Sequence, residues 1–338
     1  MSAAGGEAPK AKPQQRDRRL RGFFAGVAAG AAFAFGLYAL ARWLQPDSGL
    51  ILVSVFLIPL GACALAVLVG GIRGEGVVGR ATAMALAVVT VLLVGSAVIF
   101  HEGAICLAMA APIFYVVGAL GGVAAALLRG TSGRRTSAAL LVIWPAALMP
   151  VERQEAYPTM EAAVVTAVEI AAPAELVWRH AAEIRDIGAG EQIRTLTHDV
   201  LKIPRPVEAR LIERNGERVR AAIWVGDVAF EEVVTEWRPP EALGWRFSIP
   251  QAAADRLLDA HLRLDAGYLR LLAGGYRIEA VSPTQTRLTL TTSYAARTPL
   301  NAYAEVWGRI LLGDVHRNIL HIVRSRAEAR AAELGATK

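Results

Sequence analysis

Cysteine is nearly absent. Cys63 and Cys106 are the only two in 338 residues, and both lie inside apolar runs. Residues 151–338 have none, which excludes a disulfide framework or a thiolate metal site from that half. Thiols inside apolar helices serve as small hydrophobes. Catalytic signatures are also missing: there is no Gly-rich phosphate loop, no His-Glu-x-x-His helix and no nucleophile elbow. His316 and His321 stand five residues apart, about 140° round a helix, so they do not share a face as zinc ligands would. No metal and no cofactor is expected.

Charge is scarce in the first half. Residues 1–150 carry 12 basic and 5 acidic side chains, against 24 and 25 in residues 151–338. The pI of about 9.6 therefore comes from the first half, where basic residues sit at segment ends. A high pI ordinarily suggests a nucleic-acid partner. The near-neutral second half argues against one.

Long apolar runs are abundant. A membrane-crossing helix needs about 20 apolar residues, because the hydrocarbon core is about 30 Å thick. Gly22–Ala41, Gly49–Gly71, Ala81–Phe100 and Ala104–Leu128 meet that length. A fifth run, Thr136–Met149, is shorter and contains Pro145, so it is marginal as a span. The sequence thus predicts a basic cytoplasmic tail over 1–21, then a bundle of about five helices at 22–41, 49–71, 81–100, 104–128 and 136–149. The loop basic residues alternate, heavy before the first run and light after it, which puts the N-terminus in the cytoplasm. With five spans the remainder of the chain lies on the outer, periplasmic side of a bacterial cytoplasmic membrane. If the fifth run fails to cross, that placement reverses.

The first run resembles a signal peptide, with Ala39-Leu40-Ala41 as a cleavage pattern. Its apolar stretch exceeds the usual 7–15 residues, which favours an uncleaved anchor. Gly26–Gly30 and Gly118–Gly122 have small-xxx-small spacing. Packing within the bundle is the plainer explanation, and a homo-oligomer through these faces is the other. No polar pathway runs through the helices, so transport is not indicated.

After a linker over 151–161 the period changes. A strand-like run, Ala162–Ile170, leads through Ala171-Ala172-Pro173 into a helix from Ala174 to about Ile184, followed by a second short helix up to Leu201. Val207–Arg214 and Glu217–Val225 flank Asn215-Gly216, a strong hairpin signal. Val228–Trp237, Leu243–Ile249, Tyr268–Val281 and Arg287–Tyr294 continue as strands. Leu288, Leu290, Thr292 and Tyr294 alternate with Arg287, Thr289, Thr291 and Ser293. A closing helix runs from about Pro299 to Leu334, with Thr298 as its cap. Its apolar stripe comprises Tyr303, Val306, Trp307, Ile310, Leu311, Val315, Ile319, Ile322 and Val323. Arg309, Arg317 and Arg324 lie opposite. This order predicts an α+β helix-grip domain over 162–334, an antiparallel curved sheet around a long C-terminal helix.

Val168-Glu169-Ile170-Ala171-Ala172-Pro173-Ala174-Glu175-Leu176-Val177-Trp178 resembles the opening strand-to-helix motif of the SRPBCC superfamily. That is the START-like group of polyketide cyclase/dehydrase and lipid transport proteins. The run from Trp307 through His316-Arg317 to Arg324-Ser325-Arg326-Ala327-Glu328 is similar to a branch with N-terminal membrane helices. Ile203-Pro204-Arg205-Pro206 and Phe230-Glu231-Glu232 fit it too. The resemblance covers about 162–330. It implies an apolar cavity between sheet and helix for a lipid or other hydrophobic small molecule, a binding or transfer role at the bilayer surface. Other readings are a cyclase/dehydratase-type enzyme and a non-catalytic assembly protein.

Candidate cavity residues are Trp224, Phe230, Trp245, Phe247, Tyr276 and Tyr294 on the strands, covered by Trp307 and Leu311 from the helix. Each is also an ordinary core residue. Glu232, Arg220, His261 and Tyr268 could orient a ligand. Glu232 shares strand phase with Phe230 and Val234, which suggests an inward carboxylate needing Arg220 or Arg246 as partner. A solvated glutamate on a twisted edge is the commoner alternative. Acid–base work by His261 with Tyr268 or Glu232 would suit an enzyme, though nothing in their spacing demands it.

Overall fold

The computed structural model describes residues 13–44, 52–99, 101, 103–129, 135–151, 157–214, 216–250, 252–254 and 269–336. The chain divides into two compact units, Met1–Glu102 with Leu107–Ala156, and Tyr157–Lys338 with Gly103–Cys106.

The first unit is helical: α1 (Pro13–Leu44), α2 (Val53–Gly70), α3 (Val77–Ile99), α4 (Ala104–Arg129) and α5 (Arg135–Leu148). Four helices, α1 to α4, are long and apolar enough to cross a membrane. α5 has 14 residues, with Pro145 inside it. At about 1.5 Å per residue it is roughly 21 Å long, short of the ~30 Å core. It is the one expected span that falls below the crossing length. α1 also starts earlier than the expected span, at Pro13, so Arg16, Arg18, Arg19 and Arg21 lie on its opening turns. Arginine is a good helix former and proline is tolerated in a first turn, so nothing breaks the helix there.

Small residues set the packing of this bundle. A Cβ on Gly30 would lie 2.7 Å from the Ala62 carbonyl oxygen, and one on Gly22 would lie 2.8 Å from that of Gly70. Gly26 meets the Ala66 carbonyl in the same way. α1 and α2 therefore touch backbone to backbone. Gly118 packs against Val89 and Cys63, and Gly122 against Ala85 and Val67. Both glycine pairs are occupied inside the bundle.

The second unit is a seven-stranded sheet in the order β1-β7-β6-β5-β4-β3-β2, antiparallel throughout. Its strands are β1 (Met160–Ile170), β2 (Pro206–Arg214), β3 (Glu217–Trp224), β4 (Val228–Arg238), β5 (Ala242–Ser248), β6 (Leu269–Ser282) and β7 (Gln285–Ala296). α6 (Ala174–Ala182) follows β1, and α7 (Asn301–Ala336) closes the chain. In β7 the residues Leu288, Leu290, Thr292 and Tyr294 are buried in alternation, which fixes the register against β1 and β6. Gly216, at φ 79°, turns β2 into β3 in the left-handed region that glycine enters without strain. The main core joins α6, the inner faces of β5 to β7, and Leu320, Ile322 and Val323 of α7.

Three details differ from the sequence expectation. α7 begins at Asn301, two residues after Pro299, and Asn301 Oδ1 accepts the Thr298 N–H. Between α6 and β2 there are two short helical turns, Ala189–Glu191 and Leu196–Val200, instead of one helix. Val306 of the expected apolar stripe is exposed, while Asp314, His316 and Asn318 are buried. The connection over 183–205 packs on α7 and explains the burial of Asp314 and Asn318, while His316 is covered by β1 and β7. Asp314 accepts the Thr197 N–H at 2.9 Å, Asn318 accepts that of Ile193 at 3.0 Å, and Arg326 pairs with Glu191 through two nitrogens. A polar side chain can be interior when a loop brings it backbone donors.

The close approach of α1 and α2 predicts that Gly30→Val destabilises the purified, detergent-solubilised chain by about 1–3 kcal/mol. Gly36→Ala should leave the melting temperature unchanged, since no atom lies within 4 Å of a Cβ there. Equal melting of the two variants would contradict this packing.

Candidate functional site

Sheet and α7 do not close on each other completely. Between them, with the 183–205 connection along one side, lies a cavity of about 170 Å³. A single water needs only about 10–15 Å³ by the same kind of measure, so this space is an order of magnitude larger. Its walls are mainly apolar: Phe230, Phe247, Leu269, Leu271 and Leu290 from the strands, Leu311, Leu312, Val315 and Ile319 from α7, and Ile184, Ile187 and Ile203 from the connection.

The strand candidates meet here. Trp224, Phe230, Glu232, Trp245, Phe247, Tyr276 and Tyr294 all line the cavity, and Leu311 covers it from α7. Trp307 does not. It is half-buried further along the helix, edge-on to Tyr303 with ring centres 6.3 Å apart. Its position one residue before Gly308 turns it about 100° away from the cavity face. His261 and Tyr268 lie outside the described residues.

Aromatic rings form a continuous wall. Trp224, Phe230, Phe247, Trp245 and Tyr276 follow one another with centre distances from 5.3 to 6.3 Å. Two glycines make this possible. A Cβ on Gly274 would lie 2.6 Å from the Trp245 ring, and one on Gly308 would collide with the Tyr294 hydroxyl. The pair Trp245↔Gly274 across β5 and β6 thus lets an indole lie flat against backbone.

Glu232 is interior, against the commoner expectation of a solvated edge residue. It accepts a hydrogen bond from Arg220 at 2.6 Å, and both side chains are buried. Arg220 and Glu232 are directly opposite on β3 and β4, which places the charges side by side. Arg246, the other partner considered for Glu232, is exposed. Burial pushes the Glu232 carboxyl upward, and the adjacent guanidinium opposes that shift. Because a guanidinium stays charged in a protein, Glu232 serves as its counter-ion. The Arg220 guanidinium also stacks 4.9 Å from the centre of the Trp245 ring and 5.6 Å from that of Tyr276. Burial raises the Tyr276 hydroxyl above its ordinary value, so it remains a neutral phenol.

His316 is not among the candidate cavity residues that the sequence pattern singles out. The structure puts it in the cavity wall, with Nδ1 3.1 Å from Thr166 Oγ1 on β1 and Nε2 2.8 Å from Thr292 Oγ1 on β7. Burial holds His316 down at about 4, so the ring is neutral at pH 7. One signal for it was available: it sits four residues after Leu312 and three before Ile319, in phase with the cavity face. Among the described residues no cluster of three or more His, Cys, Asp or Glu side chains gathers to hold a metal ion.

A long C-terminal helix packed against a seven-stranded antiparallel sheet, with a cavity between them, fits a helix-grip domain. No family model matches the chain, and no curated protein does. Solved structures similar to it include the Zhui aromatase/cyclase from Streptomyces sp. R1128, 14% identical, with 49% of this chain and 94% of that one covered and a TM-score of 0.31. Truncated norcoclaurine synthase from Thalictrum flavum is 10% identical, covering 48% and 92%, with a TM-score of 0.30. TTHA0849 from Thermus thermophilus is 16% identical, covering 50% and 99%, with a TM-score of 0.31. Likeness at this level carries no argument about activity, and the functional reading rests on the cavity.

The buried polar groups yield two predictions. Glu232→Leu should destabilise the protein by about 3–5 kcal/mol, because it strands a buried guanidinium. The double variant Arg220→Leu/Glu232→Leu should recover part of that loss, and thermal melting of the two checks it. His316 is depressed when folded, to about 4, against about 6.5 unfolded. Its contribution is complete above pH 6.5 and is lost as pH falls toward 4, on the order of 3 kcal/mol in total. His316→Gln, which cannot titrate, should flatten the melting profile in this window. Some slope should remain, since burial also lowers His198 and His180.

Proposed function

We propose that this chain is a membrane-anchored binding protein whose START-like domain, of the SRPBCC type, holds a hydrophobic small molecule or lipid at the bilayer surface. The observation that carries the reading is the cavity itself, an apolar space walled by aromatic rings, with a few polar groups that include Arg220, Glu232, Glu208, Thr292, Tyr294 and His316. Apolar walls with a few placed polar groups are what small-molecule sites have in common. The anchoring half of the proposal is supported by the outward faces of the helices. Phe24, Val98, Val116 and Leu120 are all more than half exposed, which water would disfavour and lipid would not.

α5 is read as crossing the bilayer in spite of its length. Gly61 lies at the middle of α2, and a Cβ there would be 2.9 Å from the Leu141 carbonyl oxygen and 3.1 Å from Pro145. Leu141 is itself at the middle of α5. A helix lying on the membrane surface would meet one end of α2, whereas this one is centred on it. With a cytoplasmic N-terminus, α5 then delivers the domain to the outer face.

Two measurements test the proposal. Protein purified from its own membrane should release an apolar small molecule to mass spectrometry, and Leu311→Trp, which fills the cavity, should not. Equal content in both forms would place the molecule elsewhere. In a bacterial host, an alkaline phosphatase fusion at the C-terminus should be active and one after Arg135 inactive. Inactivity of both fusions would mean that α5 does not cross, and would put the domain in the cytoplasm.

A further inference from the structure

The hydrogen-bond accounting inside the cavity is lopsided, and this bears on the ligand if the binding reading above is right. Arg220 is a donor-only group. One of its terminal nitrogens donates to Glu232 at 2.6 Å and the other to the Ala181 carbonyl at 3.4 Å. Its Nε has no partner, and neither has Nε1 of Trp245, although both atoms are buried. The two residues are 2% and 3% exposed, and both line the cavity. Since the guanidinium carbon lies 4.9 Å from the Trp245 ring centre, the unmet donors belong to one end of the space.

A buried donor without an acceptor is costly, and native structures rarely contain one without a reason. Here there are two, on side chains that stack on each other, and neither can accept. The third unmet cavity atom, the Tyr294 hydroxyl, can do either. It stands four residues along β7 from Leu290, the strand partner of Tyr276, and so serves a different stretch of the wall. The Tyr276 hydroxyl also meets the Arg220 guanidinium, so what this end lacks is an acceptor for Arg220 Nε and Trp245 Nε1 in particular.

Charge then narrows the kind of oxygen. Among the described residues the one cation at this end is matched by Glu232, so a ligand carboxylate would bring a second anion to it. We propose that the cavity binds an apolar molecule through a neutral carbonyl (a ketone, ester or quinone oxygen) that accepts from Arg220 Nε and Trp245 Nε1. The hydrocarbon part lies against Phe247 and Leu290.

Three naphthalenes of one shape separate the possibilities: 2-acetylnaphthalene, 2-ethylnaphthalene and 2-naphthoate. They are titrated by calorimetry into the full chain in lipid nanodiscs, with empty nanodiscs as the partition control. The ketone should bind about tenfold or more tighter than the ethyl compound, as expected when buried donors gain an acceptor. In Trp245→Phe, which removes one donor and keeps a ring, the ketone-to-ethyl ratio should fall severalfold. A ratio near one in the unsubstituted protein would overturn the carbonyl assignment, leaving the donors to water and the cavity reading intact. Tightest binding by naphthoate would overturn it in favour of an anionic ligand. A ratio unchanged by Trp245→Phe would also overturn it. If none of the three binds above the control, the cavity reading fails with it.

Discussion

A buried arginine sits inside an apolar wall, and much of the second unit is arranged around it. Arg220 needs a counter-ion at hydrogen-bond distance, which ties β3 to β4 at the position of Glu232. It also needs a face to lie on, which the Trp245 and Tyr276 rings provide. The indole in turn lies flat against backbone at Gly274, where any side chain would collide with it. Replacing such a pair with hydrocarbon often costs little stability. Folding alone therefore does not require a charged pair at this place.

The other side of the cavity depends on how α7 is held. A 36-residue helix with one apolar stripe would leave its far side to water. Instead the connection over 183–205 covers that side and donates backbone N–H groups to Asp314 and Asn318, with Arg326 gripping Glu191. The same connection contributes Ile184, Ile187 and Ile203 to the cavity wall. The polar residues of mid-α7 thus place apolar residues of the loop, which is how a buried polar network acts on a site it does not touch. His316 behaves differently: it bridges Thr166 and Thr292 across β1 and β7 and faces the cavity directly.

In the helical unit the governing contact is steric. Gly22, Gly26 and Gly30 bring α1 against the carbonyls of α2, so these helices meet through backbone and not through interleaved large side chains. This is the packing expected where lipid gives helices no hydrophobic reason to associate. Large apolar side chains such as Phe24, Val98, Val116 and Leu120 remain on the unit's outer faces, while Ile58, Met84 and Leu92 fill its core.

Much of this was legible in the sequence because it depends on local periodicity. Runs of about 20 apolar residues marked the long helices, alternation in Leu288, Leu290, Thr292 and Tyr294 marked β7 and its inner face, and Asn215-Gly216 marked the first hairpin. Inward strand phase was enough to bring seven of the strand candidates to one cavity. Phase on a helix was less informative, since Trp307 belongs to the apolar stripe yet faces away from the cavity. The sequence by itself determined which elements form and which faces they bury, because both follow from spacing along the chain. Only the tertiary structure decided that Glu232 is interior and paired with Arg220, that His316 joins two strands, and that two donors share an end of the cavity without an acceptor. Those facts depend on residues from different elements meeting, and no period along one element encodes such a meeting.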